Sequence, residues 1–224
     1  VPQRGHIGAP DLSRGAPAAT TATEWPSRQT EELSRLTDTL TAFSMTVGRG
    51  AVARAVADLA ELRATDLVVD VGCGPGAAVR EAGRRGTLAI GVDPSPDMVR
   101  LAGWITKVTH SDGARFIEGS AESLPLATGR ATVLWALSSV HHWEDLGRGL
   151  AEALRVLEPR GRLLLVERSV APGAKGHARH GLTEEEADGL VQAVEAAGFV
   201  EVGRHPQLAG RRLLVVVTAI APRR

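Results

Sequence analysis

The sequence predicts an α/β fold: a doubly wound, mostly parallel sheet of seven strands with helices on both faces. Three observations predict it. From Asp66 onward, short apolar runs alternate with amphipathic stretches of helical period. The first run, Val68-Val69-Asp70-Val71, passes straight into the glycine turn Gly72-Cys73-Gly74-Pro75-Gly76. The second, Leu88-Ala89-Ile90-Gly91-Val92, closes on an acid, Asp93.

Taken in order, residues 1–27 are rich in Pro, Gly, Ala and Thr and read as a flexible arm, with Trp25 its one packing residue. N-terminal helices occupy 28–64. Leu33, Leu36, Leu40 and Phe43 set the first, and Val52, Val56 and Leu59 share a face of the second, from about Gly50 to Arg63. They either roof the site as a lid or cover the sheet. The main domain is expected over 65–224. Its strands fall at 66–71, 87–92, 114–118, 131–137, 161–168, 199–205 and 211–219. Helices are expected at 76–85, 95–107, 144–157 and 183–197, the last opened by a Thr183/Glu186 capping box and ended by Gly198. The last two strands form a hairpin that adds an antiparallel strand.

The glycine turn and the acids define a ligand site. Gly72 and Gly74 reach backbone angles closed to side chains and bare the main chain. Gly76 lets the next helix approach, with its first N–H groups facing the ligand. Asp93 stands at the tip of the second strand, where a carboxylate accepts both ribose hydroxyls. A pyrophosphate prefers a turn without an acid. Asp70, two residues before Gly72, suits a ligand carrying positive charge. S-adenosylmethionine has an ammonium, a sulfonium and a ribose, and no phosphate.

With these motifs the chain resembles the Rossmann-like (class I) S-adenosylmethionine-dependent methyltransferases. It is most similar to the small-molecule, type 11 group that includes the ubiquinone/menaquinone-biosynthesis enzymes. The likeness runs from Asp66 to the C-terminus. The resemblance implies strand order 3-2-1-4-5-7-6 with strand 7 antiparallel. It implies S-adenosyl-L-methionine as cofactor, held by Asp70, Gly72, Cys73, Gly74 and Gly76 of the first motif and by Asp93, Pro94 and Met98 of the second. Ser120, Ala121 and Glu122 fall in the adenine-edge loop, and Leu137 and Ser138 follow the fourth strand. The chain departs from the family pattern in three places. Ser120 stands where an Asp is frequent, Ala131-Thr132 replaces a Phe-Asp-like pair, and Arg160 replaces a glycine before the fifth strand.

Methyl transfer from a sulfonium is a direct displacement that needs alignment and exclusion of water. A base is required only for an acceptor protonated at neutral pH. His141 and His142, after the fourth strand, are the catalytic candidates. Trp143 packs against the cofactor or the sheet, and core packing is the preferred reading. Glu167 either holds a polar group of the substrate or is a hydrogen-bonded strand-end acid. His177 and His180 lie in a glycine-rich loop, 172–181, that suits a lid. No Cys or carboxylate near them completes a ligand set, so no metal is expected.

Composition narrows the function. With 26 basic and 26 acidic residues the formal net charge is zero, which disfavours a phosphate-backbone surface, and no nucleic-acid partner is expected. The one cysteine, Cys73, admits no internal disulfide and reads as a small residue fitted to its turn. The longest apolar run, Leu213 to Ala221, is too short for a bilayer, and no secretory signal is visible. A cytoplasmic protein without a membrane partner is expected, its oligomeric state open. The function expected is methylation of a small organic acceptor at oxygen or carbon. The alternatives are a non-catalytic S-adenosylmethionine-binding module and a nicotinamide-dependent oxidoreductase, which the acid Asp70 beside the turn disfavours.

Overall fold

A computed structural model describes residues 49–174 and 180–223. The expected arm at 1–27, the helix after Ser27, and His177 lie outside the described residues. The elements are α1 (Arg49–Leu59), β1 (Leu67–Val71), α2 (Ala77–Arg84), β2 (Leu88–Asp93), α3 (Pro96–Val108), β3 (Ala114–Glu118), β4 (Ala131–Leu137), α4 (Leu146–Val156), β5 (Leu157–Arg168), α5 (Glu184–Ala196), β6 (Val200–Ala209) and β7 (Arg212–Ile220). A short 3₁₀ turn, Val140–His142, follows β4.

The seven strands lie in the order β3-β2-β1-β4-β5-β7-β6. β1 to β5 pair in parallel, and β7 is antiparallel to both β5 and β6. The expected fold class and strand order are thus observed. The hairpin strand β7 slots between β5 and β6, which leaves β6 as the edge. Central strands are buried on both faces, so they read as apolar runs without alternation. Two apolar layers result. Leu150, Ala153 and Val156 of α4 and Ala187, Leu190 and Val194 of α5 pack on one face. Val52, Ala53, Val56 and Ala57 of α1 and Ala78, Val79 and Ala82 of α2 pack on the other.

Helix α1 ends at Leu59, four residues earlier than expected, and Leu59 itself is 37% exposed. It lines a surface groove with Leu208 rather than joining the buried stripe of Val52 and Val56. The guanidinium of Arg162 holds the end of α1 from β5, donating to the carbonyls of Ala60 and Glu61 and to Asp66. Thr132 explains its departure from the family pattern. Its hydroxyl donates to Asp66 at 2.8 Å and accepts from the Leu67 N–H at 3.0 Å, joining the first residues of β4 to those of β1. Arg160 sits at φ 68°, the left-handed region that a glycine enters freely. Among the described residues no helix is long and apolar enough to cross a membrane.

Candidate functional site

The glycine turn is fastened to the tip of β2. The N–H groups of Gly72 and Cys73 both donate to the Val92 carbonyl, at 2.8 and 3.1 Å. Asp93 then takes the turn's next amide: Oδ2 accepts from Gly74 N–H at 2.8 Å, and Oδ1 accepts from Ser95 N–H at 2.9 Å. Gly72, Gly74 and Gly76 have φ of 73°, 52° and 77°, angles that select glycine at all three positions. Protein fills the space beside two of them. A Cβ on Gly72 would lie 2.5 Å from Cβ of Ser139, and one on Gly76 would lie 2.4 Å from the Phe116 ring. That side of Gly72 faces protein rather than a ligand.

Beneath the turn, Asp70 is 2% exposed and Cys73 is buried. Burial first, then the carboxylates of Asp70 and Asp93, push the Cys73 thiol well up, which leaves it a small inert filler. Arg80 lies buried below, its guanidinium donating to the Pro75 carbonyl at 2.6 Å. Burial lowers its affinity for the proton, with the charge of Arg84 adding to the effect. The sequence reading missed Arg80. Its position four residues after Gly76, one turn into α2, was the available signal.

The remaining cofactor candidates lie along the same carboxyl edge of the sheet. Pro94 precedes α3 and Met98 lies in its first turn, where the cap Ser95 accepts from the Met98 N–H at 3.4 Å. Ser120, Ala121 and Glu122 follow β3. Glu122 has a protein role of its own, because its Oε1 accepts from the N–H groups of Glu144 and Asp145 at 2.8 and 3.3 Å. Burial works against its ionisation, but those amides, its own N–H and the Ser120 hydroxyl outweigh this and hold the carboxyl below its ordinary range. Leu137 ends β4. Ser138, at φ 54°, donates its N–H to Val166 at 2.7 Å, and the Ser139 hydroxyl donates to Val71 at 2.6 Å. Ser139 therefore locks the end of β4 to the glycine turn, a role not read from the sequence.

The two histidines differ in their surroundings. Glu167 is 1% exposed and uses both oxygens on the turn after β4. Oε1 accepts from Val140 N–H at 2.9 Å, and Oε2 lies 3.0 Å from Nδ1 of His141. Glu167 thus stands as a hydrogen-bonded strand-end acid. Its hydrogen bond raises the affinity of His141 for the proton; burial opposes this, and the charge of Glu167 reinforces it. His142 is exposed, with its ring centroid 4.0 Å from that of His141. Trp143 packs on Gly149 of α4, where a Cβ would lie 2.4 Å from its ring. That is the packing role expected.

The segment after β5 returns His180 to this place. Val170 N–H donates to Leu182 and Leu182 N–H to Arg168, at 3.0 and 2.8 Å, which closes the base of the loop. The His180 ring centroid then lies 5.9 Å from His141 and 6.3 Å from His142. The three rings border a cleft of about 810 Å³ that also takes in Val170, Ala171 and Thr183.

Comparison with known proteins agrees with this geometry. Residues 69–165 match the family model described as "Methyltransferase domain". The uncharacterized methyltransferase YcgJ of Bacillus subtilis is 33% identical over 108 residues, 48% of this chain and 43% of that protein. The 27-O-demethylrifamycin SV methyltransferase of Amycolatopsis mediterranei is 34% identical over 123 residues, 54% of this chain and 45% of that protein. The match therefore spans less than half the length of these curated relatives. A SAM-dependent methyltransferase of Aquifex aeolicus has the same fold, with a TM-score of 0.65, 18% identity, and coverage of 75% of this chain and 89% of that one. Motif order, strand order and these matches together show a methyltransferase domain over residues 69–165, built on a sheet of the Rossmann-like fold.

Proposed function

We propose that the chain binds S-adenosylmethionine across the carboxyl ends of β1 to β4 and transfers its methyl group to an oxygen of a small organic acceptor. The observation that carries this reading is the Asp93–Gly74 hydrogen bond, which brings a ribose-accepting carboxylate to an opened main chain. Each carboxylate oxygen of Asp93 accepts one amide and keeps a lone pair for a sugar hydroxyl. The glycine angles, Asp70 and the half-buried Met98 support the placing of the amino-acid and adenine ends.

The pair His141–Glu167 suits a hydroxyl acceptor. A hydroxyl acceptor loses a proton on methylation, and a histidine aligned by a buried carboxylate assists that loss. The name of the Amycolatopsis relative, an O-methyltransferase, is in keeping with this. The buried thiol of Cys73 suits the reducing cytoplasm.

Calorimetric titration with S-adenosylmethionine, beside a fluorescence titration with NADH, tests the proposal. Saturable binding of S-adenosylmethionine alone is expected. Binding of NADH without S-adenosylmethionine would reverse the assignment. With methyl-labelled S-adenosylmethionine and a panel of small phenols and alcohols, His141→Ala should slow transfer by about 10²–10⁴-fold and leave cofactor affinity unchanged. Tight cofactor binding with no transfer to any acceptor would favour a binding module.

A further inference from the structure

We infer that His141, His142 and His180 form a binding site for a divalent late transition-metal ion such as Zn²⁺ or Co²⁺, beside the methyl-transfer site. One ligand atom from each ring lies within 4.8 Å of the others. A tetrahedral ion with metal–nitrogen bonds of about 2.0–2.1 Å wants nitrogens about 3.3 Å apart. His142 and His180 are exposed, so rotation of their side chains can close the difference.

A second, independent feature is the chemistry of His141. Glu167 accepts from its Nδ1, which fixes the proton there and leaves the Nε2 lone pair for a ligand. Nε2 is buried and has no hydrogen-bond partner among the described residues. A buried acceptor without a partner is unfavourable unless something occupies it. The order carboxylate, histidine Nδ1–H, histidine Nε2 toward an ion is the arrangement by which proteins orient metal-binding imidazoles and raise their basicity.

The donor set decides the ion. Three neutral imidazoles suit Zn²⁺, Co²⁺ or Ni²⁺, whereas Mg²⁺ and Ca²⁺ require oxygens. The nearby carboxylates have other work. Glu167 holds Val140 and His141, and Glu186 accepts from both the N–H and the hydroxyl of Thr183. Three protein ligands, those found among the described residues, leave a fourth position for water or an acceptor oxygen. An ion there would lower the pKa of the oxygen it binds, so with the ion in place His141 assists the acceptor's proton loss as a metal ligand and the proton passes to solvent. This role rests on the proposed methyl transfer; the ion site itself rests only on the three rings and Glu167. His180 stands 38 positions after His142, so no local spacing marks the three histidines as a set.

Titration of the full chain with Co²⁺ tests the inference without any acceptor. We expect one equivalent to bind with the intense visible bands of tetrahedral cobalt. His180→Ala should abolish those bands and leave S-adenosylhomocysteine affinity unchanged. Glu167→Gln, which can still accept from Val140, should weaken cobalt binding about 10–100-fold. Absence of tetrahedral bands in the wild type, or bands that persist in both His180→Ala and His142→Ala, would overturn the site. Neither result touches the cofactor assignment, which the S-adenosylhomocysteine titration reads separately.

Discussion

Asp93 and Gly74, nineteen positions apart, are joined by a 2.8 Å hydrogen bond from the glycine N–H to the carboxylate. The acid that the sequence marks as a ribose acceptor is also the clamp that holds the glycine turn to β2. Asp93→Ala should therefore weaken two things at once. Hydrogen bonds to a charged group are worth about 1.5–3 kcal/mol each. Affinity for S-adenosylhomocysteine should fall by about 10–100-fold, and the melting temperature should drop because two amides lose their acceptor. Unchanged calorimetric affinity would remove Asp93 from the site.

The Gly72–Ser139 contact predicts a coupled pair. Gly72→Ala places a Cβ 2.5 Å from that of Ser139 and forces an L-residue to φ 73°. Overpacking costs about 1–3 kcal/mol and the left-handed backbone about 1–2 kcal/mol. In the double variant with Ser139→Gly the packing part should return and the backbone part should persist. A double-mutant cycle by urea denaturation should give a coupling of about 0.5–3 kcal/mol; strict additivity would mean that the two sites do not touch.

Arg160 stands at φ 68° where the family pattern has a glycine, and its guanidinium pairs with Glu201 on the surface. Arg160→Gly and Arg160→Ala lose the same exposed ion pair, but only glycine relieves the backbone. The glycine variant should be more stable than the alanine variant by about 1–2 kcal/mol, as read from denaturation midpoints. Equal midpoints would show that the backbone there is unstrained.

Asp66 links acid stability to the anchoring of α1. Its burial raises the carboxyl's proton affinity, but the Arg63 N–H, the Arg162 guanidinium and the Thr132 hydroxyl outweigh this and hold the group below its ordinary value of 3.8. A depressed folded pKa contributes stability above the unfolded value, and that contribution is lost as pH falls through the lower, folded one. Asp66→Asn should melt below the wild type at pH 7, and the gap should shrink once the pH drops beneath about 4. A gap that stays constant to pH 3 would contradict the pairing.

Much of this architecture was legible because its signals are local. Strands β3 and β4 fall where expected, each set off by a glycine a short way upstream: Gly113, at φ 82°, and Gly129, at φ 66°. The capping box of Thr183 and Glu186 forms as read, since it involves only neighbours three apart. Misreadings arise where partners far along the chain decide. β6 runs on to Ala209 through Pro206, against an expected end at 205, because β7 pairs with it without a break from Gly203 to Ala209 and an edge strand tolerates a proline. β5 begins at Leu157 rather than 161, since Leu157 pairs with Ala131 of β4 across the Pro159-Arg160-Gly161 break. At the site, the glycine turn and Asp93 were readable as residue types at fixed spacing. The Ser139 lock, the Arg80 support, the Glu167 clasp on His141 and the approach of His180 depend on where β4, α2, β5 and the loop after it meet in space.

A crystal structure grown with S-adenosylhomocysteine is the most direct measurement. The ribose hydroxyls should lie within hydrogen-bonding distance of the Asp93 carboxylate, with the amino-acid part against the main chain at Gly74. A ligand bound elsewhere, or a crevice that stays empty at saturating concentration, would contradict the account.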